Sequence, residues 1–151
     1  MNVRKVTKKD SLEILSWRND KISSSFSKKK KKITLECHNK WFEKNLKNKK
    51  IKFYLGFIIK KNKKNNVGIV RFNIKNNYAL VSINLNPSMR GKGLSYVLLA
   101  ATIKKFLKFK KIKLIAEIKR NNFASISCFL KNEFFLLKSK NHYNYYQMLP
   151  G

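Results

Sequence analysis

The chain has 151 residues, 43% of them hydrophobic, which suits one domain with a core of its own. It holds 36 basic residues against seven acidic ones, a net charge of +29, so its field draws in anionic ligands. No apolar run approaches a membrane span and no hydrophobic leader follows Met1, which argues against a membrane protein and for a cytoplasmic one.

The charge has two readings, a nucleic-acid surface or codon bias. Only five of the 36 basic residues are arginine, which leaves 31 lysines, and asparagine is abundant too. Lysine and asparagine share A-rich codons, whereas a surface selected for nucleic acid favours the arginine fork. We read the excess as codon bias, with no nucleic-acid partner. Cys37 and Cys128 lack metal-ligand spacing, so they read as reduced, buried thiols and no metal site is expected.

Residues 2–6 read as a short strand. Asp10 or Ser11 caps a first helix whose apolar side is Leu12, Ile14, Leu15 and Trp17, and which ends near Asn19 and Asp20. Residues 22–32 are rich in Ser and Lys, with five consecutive lysines from Lys28, and read as a solvated loop. Thr34 caps a second helix with His38, Trp41, Phe42 and Leu46 on neighbouring turns. Strands follow at residues 51–59 and 67–74, with residues 60–66 as the turn between them. In the next strand Val81, Ile83 and Leu85 alternate with Ser82, Asn84 and Asn86. Residues 94–107 form the main helix, residues 112–118 a strand and residues 122–131 a helix. Residues 134–138 and 143–149 make a closing hairpin. Neither a repeat nor a linker divides the chain, so residues 1–151 read as a single domain of mixed α and β structure around one sheet.

The loop between the strand of Val81, Ile83 and Leu85 and the main helix carries the chemistry. Arg90-Gly91-Lys92-Gly93-Leu94-Ser95 turns on two glycines and opens a helix, which presents free backbone N–H groups at the positive end of a helix dipole. Gly91 and Gly93 let the backbone approach a ligand closely. Arg90 and Lys92 add charge. The loop is neither a Walker motif nor a dinucleotide fingerprint, and a plain strand-to-helix connection has the same outline.

The same six residues resemble the acetyl-coenzyme A signature R-x-x-G-x-[GA] of the GCN5-related N-acetyltransferase (GNAT) superfamily, with Ser95 in place of the small last residue. Asn122, Ser125, Phe129, Lys131 and Phe134 resemble the superfamily's second block, N-x-x-[AS]-x-x-x-[YF]-x-K-x-G-F, with Glu133 where glycine is usual. The resemblance implies an α+β fold of about seven mostly antiparallel, twisted strands and about four helices. It implies acetyl-coenzyme A as co-substrate, held by Leu85, Arg90, Gly91, Lys92, Gly93, Leu94, Ser95, Asn122, Ser125 and Phe129. A backbone N–H near Leu85 would meet the oxyanion, and Glu117, on a strand that splays from the one ending at Leu85, would be the base; its bland alternative is a salt bridge to a lysine. Many members have a tyrosine where Phe129 stands, to protonate the leaving thiolate. Phe has no proton to give, which leaves Tyr143, Tyr145, Tyr146, Cys128 or water for that step.

Trp17-Arg18-Asn19 and His38-x-x-Trp41-Phe42 are similar to acetyltransferases of nonulosonic (pseudaminic) acid pathways, which modify a UDP-linked amino-dideoxy sugar. That resemblance implies Trp17, Arg18, Asn19, His38 and Trp41 as the acceptor side, in a monomer or homodimer. Aromatic residues at helical spacing are also what a core supplies. Acetylation of a protein N-terminus, and a basic nucleic-acid module without catalysis, are the alternatives.

Overall fold

The computed structural model describes residues 1–28 and 31–151. One seven-stranded sheet runs β1 (Asn2–Lys5), β2 (Ile51–Lys60), β3 (Lys63–Ile74), β4 (Tyr78–Leu85), β5 (Lys113–Lys119), β7 (Tyr143–Met148) and β6 (Phe135–Lys140) from edge to edge. Every neighbouring pair is antiparallel except β4 and β5. Among the described residues five α-helices complete the fold: α1 (Ser11–Arg18), α2 (Lys21–Ser25), α3 (Leu35–Lys47), α4 (Leu94–Phe109) and α5 (Phe123–Lys131).

Alternation along the strands sends side chains to two separate cores. Tyr54, Val70, Phe72, Ala79 and Val81 pack against Leu98, Leu99, Ile103 and Phe106 of α4 on one face. Phe53, Leu55 and Ile69 pack against Ile14 and Trp17 of α1 and Phe42 of α3 on the other. Phe72 and Phe106 stack with centroids 4.3 Å apart, fixing α4 to the middle of the sheet.

Several boundaries differ from expectation. The solvated loop expected at residues 22–32 begins as a helix, α2, because the Asp20 carboxylate accepts from the N–H groups of Ile22 and Ser23; Lys29 and Lys30 of that loop lie outside the described residues. Among the described residues this makes five α-helices rather than about four. The turn expected at residues 60–66 shrinks to Lys61 and Asn62, with φ of 50° and 60°, the two left-handed residues of a tight hairpin. Leu12 faces solvent, and Cys37 is exposed whereas Cys128 is buried. Glu133 takes φ 68° after α5, and the Phe134 N–H reaches back to the Phe129 carbonyl at 3.2 Å. The chain thus makes the usual left-handed helix stop without the usual glycine.

Gly68 on β3 faces Leu85 on β4. A Cβ there would sit 2.7 Å from the Asn84 carbonyl oxygen and 3.0 Å from the Leu85 Cα, both backbone atoms. Gly68→Ala is therefore expected to cost about 1–3 kcal/mol, read as a lower urea midpoint. An unchanged midpoint would show that β4 can yield.

Candidate active site

β4 and β5 pair only at Tyr78–Lys113, Ala79–Leu114 and Leu80–Ile115. Beyond that they part, while β4 stays bonded to β3 as far as Leu85 and β5 to β7 as far as Lys119. Each strand is held on its outer side and open on its inner side. A cavity of about 570 Å³ fills the gap, lined among others by Leu85, Arg90, Ser95, Glu117, Asn122 and Phe129.

One end of the cavity is built for an anion. Gly91 and Gly93 have φ of 73° and 71°, with open space where a Cβ would stand. No side chain caps α4, unlike α3 and α5, which Thr34 and Asn122 cap. The first N–H groups of a 16-residue helix are thus left for a ligand. These features fit the diphosphate of coenzyme A. Gly91, Arg90 and Ser95 line the cavity, as do Leu85, Asn122, Ser125 and Phe129; Lys92, Gly93 and Leu94, expected beside them, do not line it. Arg90 already has partners, Asp20 Oδ2 at 2.7 Å and Ser23 Oγ at 3.0 Å. Phe129 is buried edge-on against Phe134 at 4.9 Å.

Glu117 lies on the same sheet face as α1 and α3, since its neighbours Ala116 and Ile118 point into the opposite core. Its Oε1 is 2.9 Å from the Lys28 Nζ. It sits across from Tyr145, whose hydroxyl is pushed up by burial and then by the nearby Glu117 charge. Of the four side chains considered for thiolate protonation, Tyr143 and Cys128 line the cavity. Burial raises the Cys128 thiol, so it stays protonated at neutral pH. The Tyr146 ring is buried in the core.

The other end is arginine-rich. The Arg18 guanidinium lies 3.7 Å over the Trp41 ring, and that of Arg71 lies 5.9 Å from it. All three residues line the cavity. Arg71 also donates to the Asn45 side chain of α3. Neither arginine has a carboxylate partner among the described residues. Burial pushes Arg18 down to about 10, with the Arg71 charge adding to the effect, and burial lowers Arg71 as well.

Three residues expected at the acceptor side stand behind it. Trp17 is in the α1–α3 core. The Asn19 side chain clasps the backbone of Ile33, with both bonds under 3 Å (2.8 and 2.7 Å). His38 is fully buried and stacks on Phe42 at 5.4 Å. Its Nε2–H donates to the Ser11 carbonyl at 2.9 Å, so its Nδ1 accepts from Arg18 at 3.0 Å. His38 orients Arg18 and is not itself exposed to a ligand. Arg71 was missed in the sequence, although a charged residue two places after the buried Ile69 was a signal.

Burial and the adjacent Arg18 hold the His38 imidazole below the ordinary value of 6.5, so the folded chain prefers it neutral. Its contribution is intact above pH 6.5 and is lost as pH falls through the depressed folded value. Unfolding free energy should fall by up to ~1.4 kcal/mol per pH unit in that window, and this limb should be missing from His38→Asn. A limb that persists in the variant would assign it to another group.

The family model for the acetyltransferase (GNAT) domain matches residues 1–134. The chain belongs to this family. As a GNAT enzyme it is an N-acetyltransferase with acetyl-coenzyme A as co-substrate. Solved GNAT structures superimpose along the whole chain. The spermidine N-acetyltransferase of Vibrio cholerae, in complex with CoA and spermine, has a TM-score of 0.79 at 13% identity, covering 97% of this chain and 92% of its own. The ribosomal-protein-alanine N-acetyltransferase of Brucella melitensis gives 0.78 at 19%, covering 99% of both chains. Campylobacter jejuni N-acetyltransferase PseH, in complex with acetyl coenzyme A, gives 0.71 at 16%, covering 98% and 97%. At these identities the likeness is one of fold. No curated protein matches the sequence. Among the described residues no helix is long and apolar enough to cross a membrane, and no group of His, Cys, Asp or Glu is placed to hold a metal ion.

Proposed function

We propose that the enzyme acetylates the amino group of a nucleotide-linked amino-dideoxy sugar. The observation that carries this reading is the pair of arginines, Arg18 and Arg71, that line the cavity beside Trp41 with no carboxylate partner among the described residues. Two guanidinium groups without carboxylates suit a diphosphate, and an indole face suits a sugar or uracil ring. The same pair repels a polyamine. The Trp17-Arg18-Asn19 and His38-x-x-Trp41 pattern, similar to that of nonulosonic-acid pathway acetyltransferases, supports the same acceptor.

In this reading Glu117 accepts a proton from the acceptor ammonium, directly or through water, which frees the nitrogen lone pair. The backbone N–H near Leu85 meets the charge that develops on the carbonyl oxygen. Arg18, held by His38, fixes the diphosphate and so the distance of the amine from Glu117. Tyr143 and Cys128 are the protic side chains at the cavity wall available to the departing thiolate.

Initial rates with acetyl-coenzyme A and UDP-amino sugars, spermidine or N-terminal peptides test the proposal. UDP-amino sugars should be preferred. In Arg18→Ala their KM should rise about 10–100-fold with little change in the KM of acetyl-coenzyme A, since a charged hydrogen bond contributes roughly 1.5–3 kcal/mol. Turnover of peptides alone would replace the sugar with a protein N-terminus.

A further inference from the structure

The segment between α1 and α3 straddles the open cleft. On the β4 side, Asp20 and Ser23 hold Arg90, and the Ser23 hydroxyl also donates to Asn84 Oδ1 at 3.0 Å. On the β5 side, Lys119 Nζ donates to the carbonyls of Ser27 and Ser25 at 3.2 and 3.5 Å. Tied at both feet, the segment delivers Lys28 to the cavity wall. There its Nζ is 2.9 Å from Glu117 Oε1 and 5.6 Å from the centre of the Tyr143 ring. The other described lysine ion pairs, Lys40–Glu36 and Lys47–Glu43, are exposed i,i+4 pairs on α3. Among the described residues, Lys28 is the lysine whose amine meets a carboxylate that lines the cavity.

A primary amine within hydrogen-bond distance of the base stands where an acceptor amine must stand. We propose that Lys28 is itself an acetyl acceptor, and that the chain acetylates its own Lys28 when no free acceptor occupies the cavity. This rests on Glu117 acting as the base of the proposed reaction.

The step uses the acetyl donor of the established activity. Glu117 takes one proton from the Lys28 ammonium. The Nζ lone pair attacks the thioester carbonyl carbon, the C–N bond forms, and the C–S bond breaks. As the amide forms, nitrogen sheds a second proton. One proton ends on the coenzyme A thiol and the other in solvent. The hydrogen bond to Glu117, ahead of its charge, raises the Lys28 amine above its ordinary value, so the neutral amine arises only as Glu117 takes its proton. The product has no charge with which to hold Glu117. Self-acetylation would therefore cut the Lys28–Glu117 ion pair, leaving the Lys119 bonds of the segment in place, and open the Glu117 carboxylate to a free acceptor.

The 31 lysines are an internal control, because chemical acetylation scatters over exposed amines. Full-length protein is incubated with acetyl-coenzyme A alone, then analysed by intact mass and peptide mapping. One acetyl group should accumulate on Lys28 at least about tenfold faster than on the average lysine, reflecting proximity. The rate should be first order and independent of protein concentration. It should collapse in Glu117→Gln and fall when a UDP-amino-dideoxy sugar is added. In Lys28→Arg no single site should dominate. A Lys28 rate no faster than that of other lysines, or one that Glu117→Gln leaves unchanged, overturns the proposal. Sugar turnover that needs Glu117, without acetylation of Lys28, overturns self-acetylation alone. Loss of both sugar turnover and Lys28 acetylation in the wild-type protein overturns the acceptor reading as well.

Discussion

Replacing Glu117 with glutamine should lower kcat by roughly 10²–10⁴-fold, the usual contribution of a positioned general base. Glutamine keeps the shape and the hydrogen-bonding oxygen but cannot take a proton. The KM of acetyl-coenzyme A should hardly move, because Gly91, the α4 N-terminus and Asn122 are untouched. The deficit should shrink as pH rises toward the ordinary amine range, where the acceptor loses its proton unaided. A kcat within a few-fold of wild type at neutral pH would hand the proton to water or another group, and would leave the Lys28 ion pair as Glu117's whole role.

Phe106→Ala should have the largest effect on stability, about 3–5 kcal/mol. Phe106 is fully buried and stacked parallel to Phe72, with 3° between the ring planes. Truncation opens a void at the contact that fixes α4 to β3. In a domain of this size each kcal/mol moves Tm by about 2–4 °C, so calorimetry resolves the change easily. Acetyl-coenzyme A, which binds the folded enzyme, should restore part of the loss by mass action. A drop below about 1 kcal/mol would mean that neighbouring side chains close the gap.

How far the sequence could be read follows from where each signal resides. Local signals served well. Thr34 caps the helix it was expected to cap, and the alternation of Val81, Ile83 and Leu85 marks β4. The α2 helix escaped notice because its five residues, Lys21–Ser25, have no apolar stripe. Its hold comes from Asp20, Arg90, Asn84 and Lys119, partners as many as 94 residues away. Trp17 and His38 looked like ligand-facing residues because a helical stripe does not say which side meets solvent. Both turned inward, and His38 acts through Arg18. Arg71 lay hidden in a strand, where only the packing of α3 against β3 reveals its place. The left-handed turns at Gly91 and Gly93 were legible because glycine spacing encodes backbone conformation directly. The acceptor end was not, because three separate elements assemble it.

The three-residue pairing of β4 with β5 has a mechanical consequence. The sheet is in effect two panels, β1 to β4 and β5 to β6, joined by a short seam at one end and by helices laid across it. The shortest strand pairing in the sheet borders the cavity. A ligand lodged there acts as a splint that bridges the panels. Stiffness would then be a property of the occupied enzyme, and each turnover, as product leaves, would restore the hinge.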